Sequence, residues 1–133
     1  MLPNYLKQLC EELTIPSVPK ANEEKLIPLR IGKESLSLKD LEPGVSLQGS
    51  ICLCPQQRKE LLFIYLMRAN LLGQGTGGAR IGLDAEEKFL TLSLGLPYEM
   101  NYQTFKETIE DFVNYLIYWR NEVAKFENEE GLL

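Results

Sequence analysis

The sequence predicts an α+β fold: an antiparallel sheet with three helices, in the order α-β-β-β-α-β-β-α. Three observations predict it. Apolar residues recur at steps of three and four near both ends of the chain, as on one face of a helix. Between them lie short runs in which apolar and polar residues alternate, as in half-buried strands. Pro and Gly punctuate the joints between these runs.

Pro3 to Leu13 opens as a short amphipathic helix. Leu6, Leu9 and Leu13 fall on one side, and Lys7, Gln8, Glu11 and Glu12 on the other. Pro16 and Pro19 end it and begin a polar linker, SVPKANEE. Leu26 to Ile31 alternates, with Ile27, Leu29 and Ile31 on one face. Pro28 sits inside it and cannot donate to a ladder, so this strand belongs at a sheet edge or in a bulge. Ser35 to Lys39 alternates again, with Leu36 and Leu38 together, and Gly32, Lys33 and Glu34 read as the hairpin connection. Val45 to Leu53 is the longest strand. Val45, Leu47, Ile51 and Leu53 line one face, and Ser46, Gln48, Ser50 and Cys52 the other.

Then the period changes. Gln57 to Asn70 starts polar and runs through seven consecutive apolar residues, Leu61 to Met67. A run this short also suits a buried strand; the polar first turn and the Ala69-Asn70 end favour a helix. Such a helix is apolar all round in its middle and must be buried on more than one side. One side can face the sheet, and a second subunit is the simplest cover for the other. Ala79 to Asp84 and Lys88 to Leu94 form a hairpin, with Asp84 to Glu87 as its polar turn. The last helix runs from Asn101 to Phe126, with Thr104 and Glu107 at capping-box spacing. Its stripe of Phe105, Ile109, Phe112, Leu116, Trp119, Val123 and Phe126 steps by four and three. That is a heptad seam, and it suits a helix lying on a sheet or a coiled coil. The acidic tail, residues 127–133, is expected to fray.

A length of 133 residues suits a single domain. The net charge of −5 is unfavourable for a binder of nucleic-acid backbone, and direct nucleic-acid binding is not expected. No histidine occurs, which removes the commonest general base and the commonest metal ligand together. The three cysteines, Cys10, Cys52 and Cys54, fit a reducing cytosol better than a disulfide scaffold. Cys52 and Cys54 share one side of a strand, but no second pair accompanies them to complete a metal site, and they read as structural thiols. MLPNYLKQLCEEL lacks the pattern of a signal peptide, and Leu61 to Met67 is too short to span a bilayer. A cytoplasmic location without membrane insertion is expected.

The stretch LLGQGTGGARIGLD, Leu71 to Asp84, fits G-x-G-x-x-G at Gly73, Gly75 and Gly78. A dinucleotide site needs a strand before those glycines and a helix after them. Here a helix precedes and a strand follows, and no GK[ST] completes a phosphate loop. The glycines therefore read as a helix-to-strand joint. No nucleophile–base pair stands out, and the carboxylate pairs Glu11–Glu12 and Glu129–Glu130 read as solvated charge. No catalytic residue, cofactor or metal is expected.

With these elements in place, the chain resembles the class I type III secretion chaperones, the Tir/effector chaperone family. The sharpest likeness is MRANLLGQGTGGARIGLD followed by the leucine-rich FLTLSLGLP. The second is the C-terminal helix, TIEDFVNYLIYWRNEV, with its Trp-Arg pair. Together they cover roughly residues 57–126; the first half matches in element order, size and pattern, without a sharp motif. The resemblance implies a binding function without catalysis. It implies dimerisation through the second helix, here Leu61, Leu62, Tyr65, Leu66 and Arg68, with the outward side left open. A homodimer, or a heterodimer with a second chaperone of the family, is implied. The expected partner is the extended N-terminal segment of a secreted effector or gatekeeper protein. The apolar grooves that hold it fall by position on Leu6, Leu9, Leu13, Leu26, Leu29, Leu36 and Leu38. A Pro-bearing edge strand leaves ladder groups available for such a segment. A groove of five leucines buries roughly 300–500 Å² of apolar surface, worth on the order of 10 kcal/mol before ordering costs. A regulatory interaction protein that binds a transcription factor or polymerase subunit through the same fold is the alternative.

Overall fold

The computed structural model describes residues 2–72 and 78–128. Its elements are α1 (Leu2–Glu12), β1 (Ile27–Ile31), β2 (Glu34–Asp40), β3 (Val45–Leu53), α2 (Lys59–Leu72), β4 (Arg80–Leu83), β5 (Phe89–Leu96) and α3 (Tyr102–Asn128). This is the expected order. The strands form one antiparallel sheet, β1-β2-β3-β5-β4, so β1 and β4 are its edges. Gly73, Gly75 and Gly77 of the glycine-rich joint, and the tail beyond Asn128, lie outside the described residues.

Gly32 and Lys33 join β1 to β2, with Ile31 paired to Glu34 across them. Gly32 has φ +61°, the left-handed conformation that the first residue of a type II′ turn requires. Glu34 thus opens β2 rather than belonging to the connection, and it is buried. By alternation from this pair, Pro28 points its absent N–H away from β2, where an edge strand tolerates it.

One face of the sheet carries Leu29, Leu36, Leu38, Val45, Leu47, Ile81 and Leu92, all buried. The long helix α3 lies on this face, as the helix-on-sheet reading of its seam requires, and its buried stripe is Phe105, Ile109, Phe112, Leu116, Trp119 and Val123. The approach is close at Gly49, where an added Cβ would stand 2.9 Å from Leu116 Cδ1. The cap of α3 is Asn101: its Oδ1 accepts from the Thr104 backbone N–H at 2.8 Å. Thr104 is therefore inside the first turn rather than at the expected cap.

The alternation of β3 breaks at its end. The ladder pairs Ser50 with Thr91 and Cys52 with Leu90, leaving Ile51 as a bulge. A bulge puts two residues opposite one and shifts the pleat by one position. Cys52 therefore joins Ile51 on the helix side, and Leu53 turns to the outer face with Phe89, its partner. Leu53 is 66% exposed for this reason, not buried in line with Val45, Leu47 and Ile51.

Helix α1 packs beside α3 with Leu2, Leu6, Leu9 and Cys10 buried. Tyr5 donates to the Met100 carbonyl at 2.8 Å. Glu12 takes the Tyr102 hydroxyl at 2.9 Å and pairs with Lys106 at 2.9 Å.

Candidate partner-binding surfaces

Helix α2 is apolar all round, and the fold divides its sides. Leu62, Leu66 and Ala69 point into the core. Tyr65 lies between: its ring stacks on Phe126 with centroids 6.1 Å apart, and its hydroxyl donates to Glu122 at 3.0 Å. The remaining side is an uncovered stripe. Leu61 is 52% exposed, Ile64 49%, Met67 68% and Leu71 85%. Steps of three and four hold these four on one helical face. Next to them, Ile64, Met67, Arg68, Asn70, Leu71 and Arg80 line a shallow depression of about 570 Å³. A monomer rarely leaves such a stripe to water without a use for it.

A second apolar site forms where three elements meet. Leu9 and Leu13 from α1, Ile31 from the end of β1, and Ile109 and Val113 from α3 line a groove of about 270 Å³, with Glu110 and Asn114 at its rim. Leu13 lies one residue beyond the helix, where Thr14 at φ 55° ends it, and so it is half out of the core. The open edge of β1 runs into this groove through Ile31.

The opposite edge is capped at one residue. Asn70 near the end of α2 sets its amide against β4: Oδ1 accepts from the Ile81 N–H at 2.7 Å, and Nδ2 donates to the Ile81 carbonyl at 2.8 Å. One side-chain amide replaces one residue of a neighbouring strand, so the sheet can accept a further strand at β1 more readily than here.

These positions sort the residues nominated from sequence. On α2, Leu61 and Arg68 are on the outside, whereas Leu62 and Leu66 are core residues and Tyr65 is engaged with α3. Ile64, Met67 and Leu71 complete the outer stripe. Sequence reasoning missed them because a helix apolar on every side gives no periodic cue. For the groove, Leu9 and Leu13 are brought together with Ile31. Leu26, Leu29 and Leu36 border a different, more polar hollow on the outer face of the sheet. Leu6 and Leu38 are sealed in the core and line neither.

The thiols do not form a reactive centre. Burial pushes Cys10 and Cys54 up, and burial with the nearby Glu127 carboxylate pushes Cys52 up to about 11. No group of three or more potential metal ligands occurs among the described residues. No helix among them is long and apolar enough to cross a membrane.

Fold and surfaces thus define a binding scaffold of apolar stripes and an open sheet edge. The sequence model of the Tir chaperone protein (CesT) family matches residues 4–120, and the chain belongs to that family. It is a type III secretion chaperone and not an enzyme. Two solved structures share the fold at low identity. The chain is 13% identical to one from the ExsC-ExsE complex, with a TM-score of 0.71 over 90% of this chain and 91% of that one. It is 15% identical to one from the HopA1-SchA chaperone-effector complex, with a TM-score of 0.67 over 90% and 93%. No curated protein matches it in sequence.

Proposed function

We propose that this chain acts as a dimeric cytoplasmic chaperone that holds the extended N-terminal segment of a secreted effector or gatekeeper protein, keeping it soluble and competent for secretion. The observation that carries the reading is the uncovered α2 stripe of Leu61, Ile64, Met67 and Leu71 beside the core. Its burial against a second chaperone subunit, identical or related, would remove a long apolar face from water. Across the molecule, the Leu9–Leu13–Ile31–Val113 groove and the β1 edge offer an extended client two kinds of contact. The edge gives main-chain hydrogen bonds, and the groove gives pockets for alternate side chains. No nucleotide or catalytic group is needed, because binding alone keeps an extended segment from collapsing or aggregating.

Light scattering at micromolar concentration tests the dimer. Wild-type protein should scatter as a dimer, and Ile64→Glu or Met67→Glu as a folded monomer, because each places an unpaired charge in the contact. A folded wild-type monomer with no partner subunit, or variants that still dimerise, would remove this helix face from the proposal. Purification from native cytosol tests the client arm. A secreted protein should co-elute with wild type and be lost from Leu13→Asp while the dimer remains.

A further inference from the structure

The outer face of the sheet, away from the helices, is a broad surface that neither the α2 stripe nor the groove uses. Its chemistry differs from the rest of the protein. The chain holds 19 Asp and Glu against 14 Lys and Arg. By strand register, none of the 19 acids falls on the outward positions of the five strands. Those positions instead carry three cations, Arg30, Lys39 and Arg80, among Ser, Thr, Gln, Gly and Pro, with the apolar pair Leu53 and Phe89 at one end. The acids lie elsewhere, as with Glu107, Glu110 and Asp111 on α3. The outer face of the sheet is thus free of acids, whereas the helices carry both signs, with Lys7, Arg68 and Lys106 among their cations.

Arg80 is held locally, its Nη1 donating to the Gly78 and Ala79 carbonyls at 3.2 and 3.3 Å, whereas Arg30 and Lys39 are exposed cations of this face. Among the described residues, Glu34, Glu12, Glu86 and Glu122 take the ion pairs, and none goes to Arg30, Lys39 or Arg80. Beside Arg30, β1, β2 and β3 border a hollow of about 530 Å³ in which Ser35, Ser37, Gln48 and Ser50 stand beside Leu26, Pro28, Leu29 and Leu36. Hydroxyls and an amide around a free guanidinium suit a polar main chain and a carboxylate. They do not suit the apolar side of a helix, which would leave these groups unsatisfied.

We infer that this outer face docks an extended, carboxylate-bearing segment of the partner polypeptide, with Arg30 and Lys39 as its charge contacts. The inference rests on the proposal that the chain holds an extended partner segment, and adds the chemistry of a second stretch of that segment. A second copy of this chain fits less well, because two such faces repel one another. Nucleic acid fits less well too, since a net charge of −5 opposes a polyanion that only three cations would hold.

The test titrates the full-length protein with two synthetic peptides, one of alternating Glu and Ser and one of alternating Lys and Ser, following backbone amide shifts. The acidic peptide should give saturable shifts at Ser35, Ser37, Gln48 and Ser50, and the basic peptide none. The exposed double reversal Arg30→Glu/Lys39→Glu should weaken the acidic peptide roughly tenfold, as should high salt. No binding, equal binding of both peptides, or shifts confined to the helical layer would overturn the inference. So would a polythymidine strand that binds this face more tightly than the peptide, or loss of the dimer in the double reversal. If the native client co-elutes with wild type and the peptide test fails, the chaperone reading stands and the docking face falls. If no client co-elutes, it is the chaperone reading that fails.

Discussion

Arg120 and Glu34 meet as a fork on a fork. Arg120 Nη1 and Nη2 donate to the two carboxylate oxygens of Glu34 at 2.7 and 2.8 Å. The same guanidinium donates through Nε to the Ile51 carbonyl at 2.7 Å. Ile51 is the bulge of β3, so Arg120 satisfies a carbonyl at the point where the ladder is interrupted. One side chain of α3 thereby ties the start of β2 to the end of β3.

Breaking this pair should destabilise the fold. The Glu34 side chain is 11% exposed and that of Arg120 40%, so the cost lies between those of surface and buried pairs. Arg120→Met should cost about 2 kcal/mol in urea unfolding, because the remaining carboxylate stays buried without its partner. Arg120→Lys should recover little, since an ammonium cannot donate to Glu34 and the Ile51 carbonyl in this geometry.

The pair also sets a pH dependence. Hydrogen bonds from Arg120 hold the Glu34 carboxyl below its ordinary value of 4.5, against the opposing effect of burial. A carboxylate depressed in the folded state contributes stability that is present above its unfolded value and lost as pH falls through the folded one. The stability difference between wild type and Glu34→Gln should therefore be constant above pH 5 and shrink below 4.5. A difference that grew on acidification would contradict the assignment.

The element order was legible because local periods differ: three to four residues in α1 and α3, two in the strands. What stayed hidden depends on contacts between distant residues. Glu34 looks like a turn residue until Arg120, 86 positions away, is known to reach it. Leu53 looks buried because one bulge residue, Ile51, is invisible to an alternating pattern. The sides of α2 could not be assigned, since Leu62 and Leu61 are the same residue type with opposite fates. Leu9 and Leu13 border one hollow because their helix is amphipathic, while Leu6 on the same stripe lies too deep to reach it.

The two sides of α2 predict opposite phenotypes. Leu62→Ala should cost about 3 kcal/mol of folding stability by leaving a cavity, with association unchanged at concentrations where the protein is folded. Leu61→Ala should change folding stability by less than about 0.5 kcal/mol. Thermal melts joined to sedimentation distinguish the two.

The thiols should be unreactive in the native state. With Cys52 pushed up to about 11 by burial, only about one molecule in a thousand carries its thiolate at pH 8. Iodoacetamide at that pH should label none of Cys10, Cys52 and Cys54 rapidly in folded protein, and all three after unfolding. Fast labelling of Cys52 in folded protein would show that its helix-side position is open to solvent.

The amide of Asn70 makes the sharpest local prediction, because both of its bonds fall on one residue of an edge strand. Asn70→Ala removes a donor and an acceptor from Ile81. The loss should be about 1–2 kcal/mol if water reaches the freed groups only in part. Asn70→Asp keeps the acceptor for the Ile81 N–H but loses the donor to its carbonyl, so it should fall between the two. In hydrogen exchange, the Ile81 amide should be protected in wild type and in Asn70→Asp, and fast in Asn70→Ala. The freed edge of β4 would also be a template for pairing with another chain, so Asn70→Ala should aggregate at a lower concentration than wild type. Unchanged protection of Ile81 in Asn70→Ala would mean that its N–H has another acceptor, and that α2 does not cap this edge.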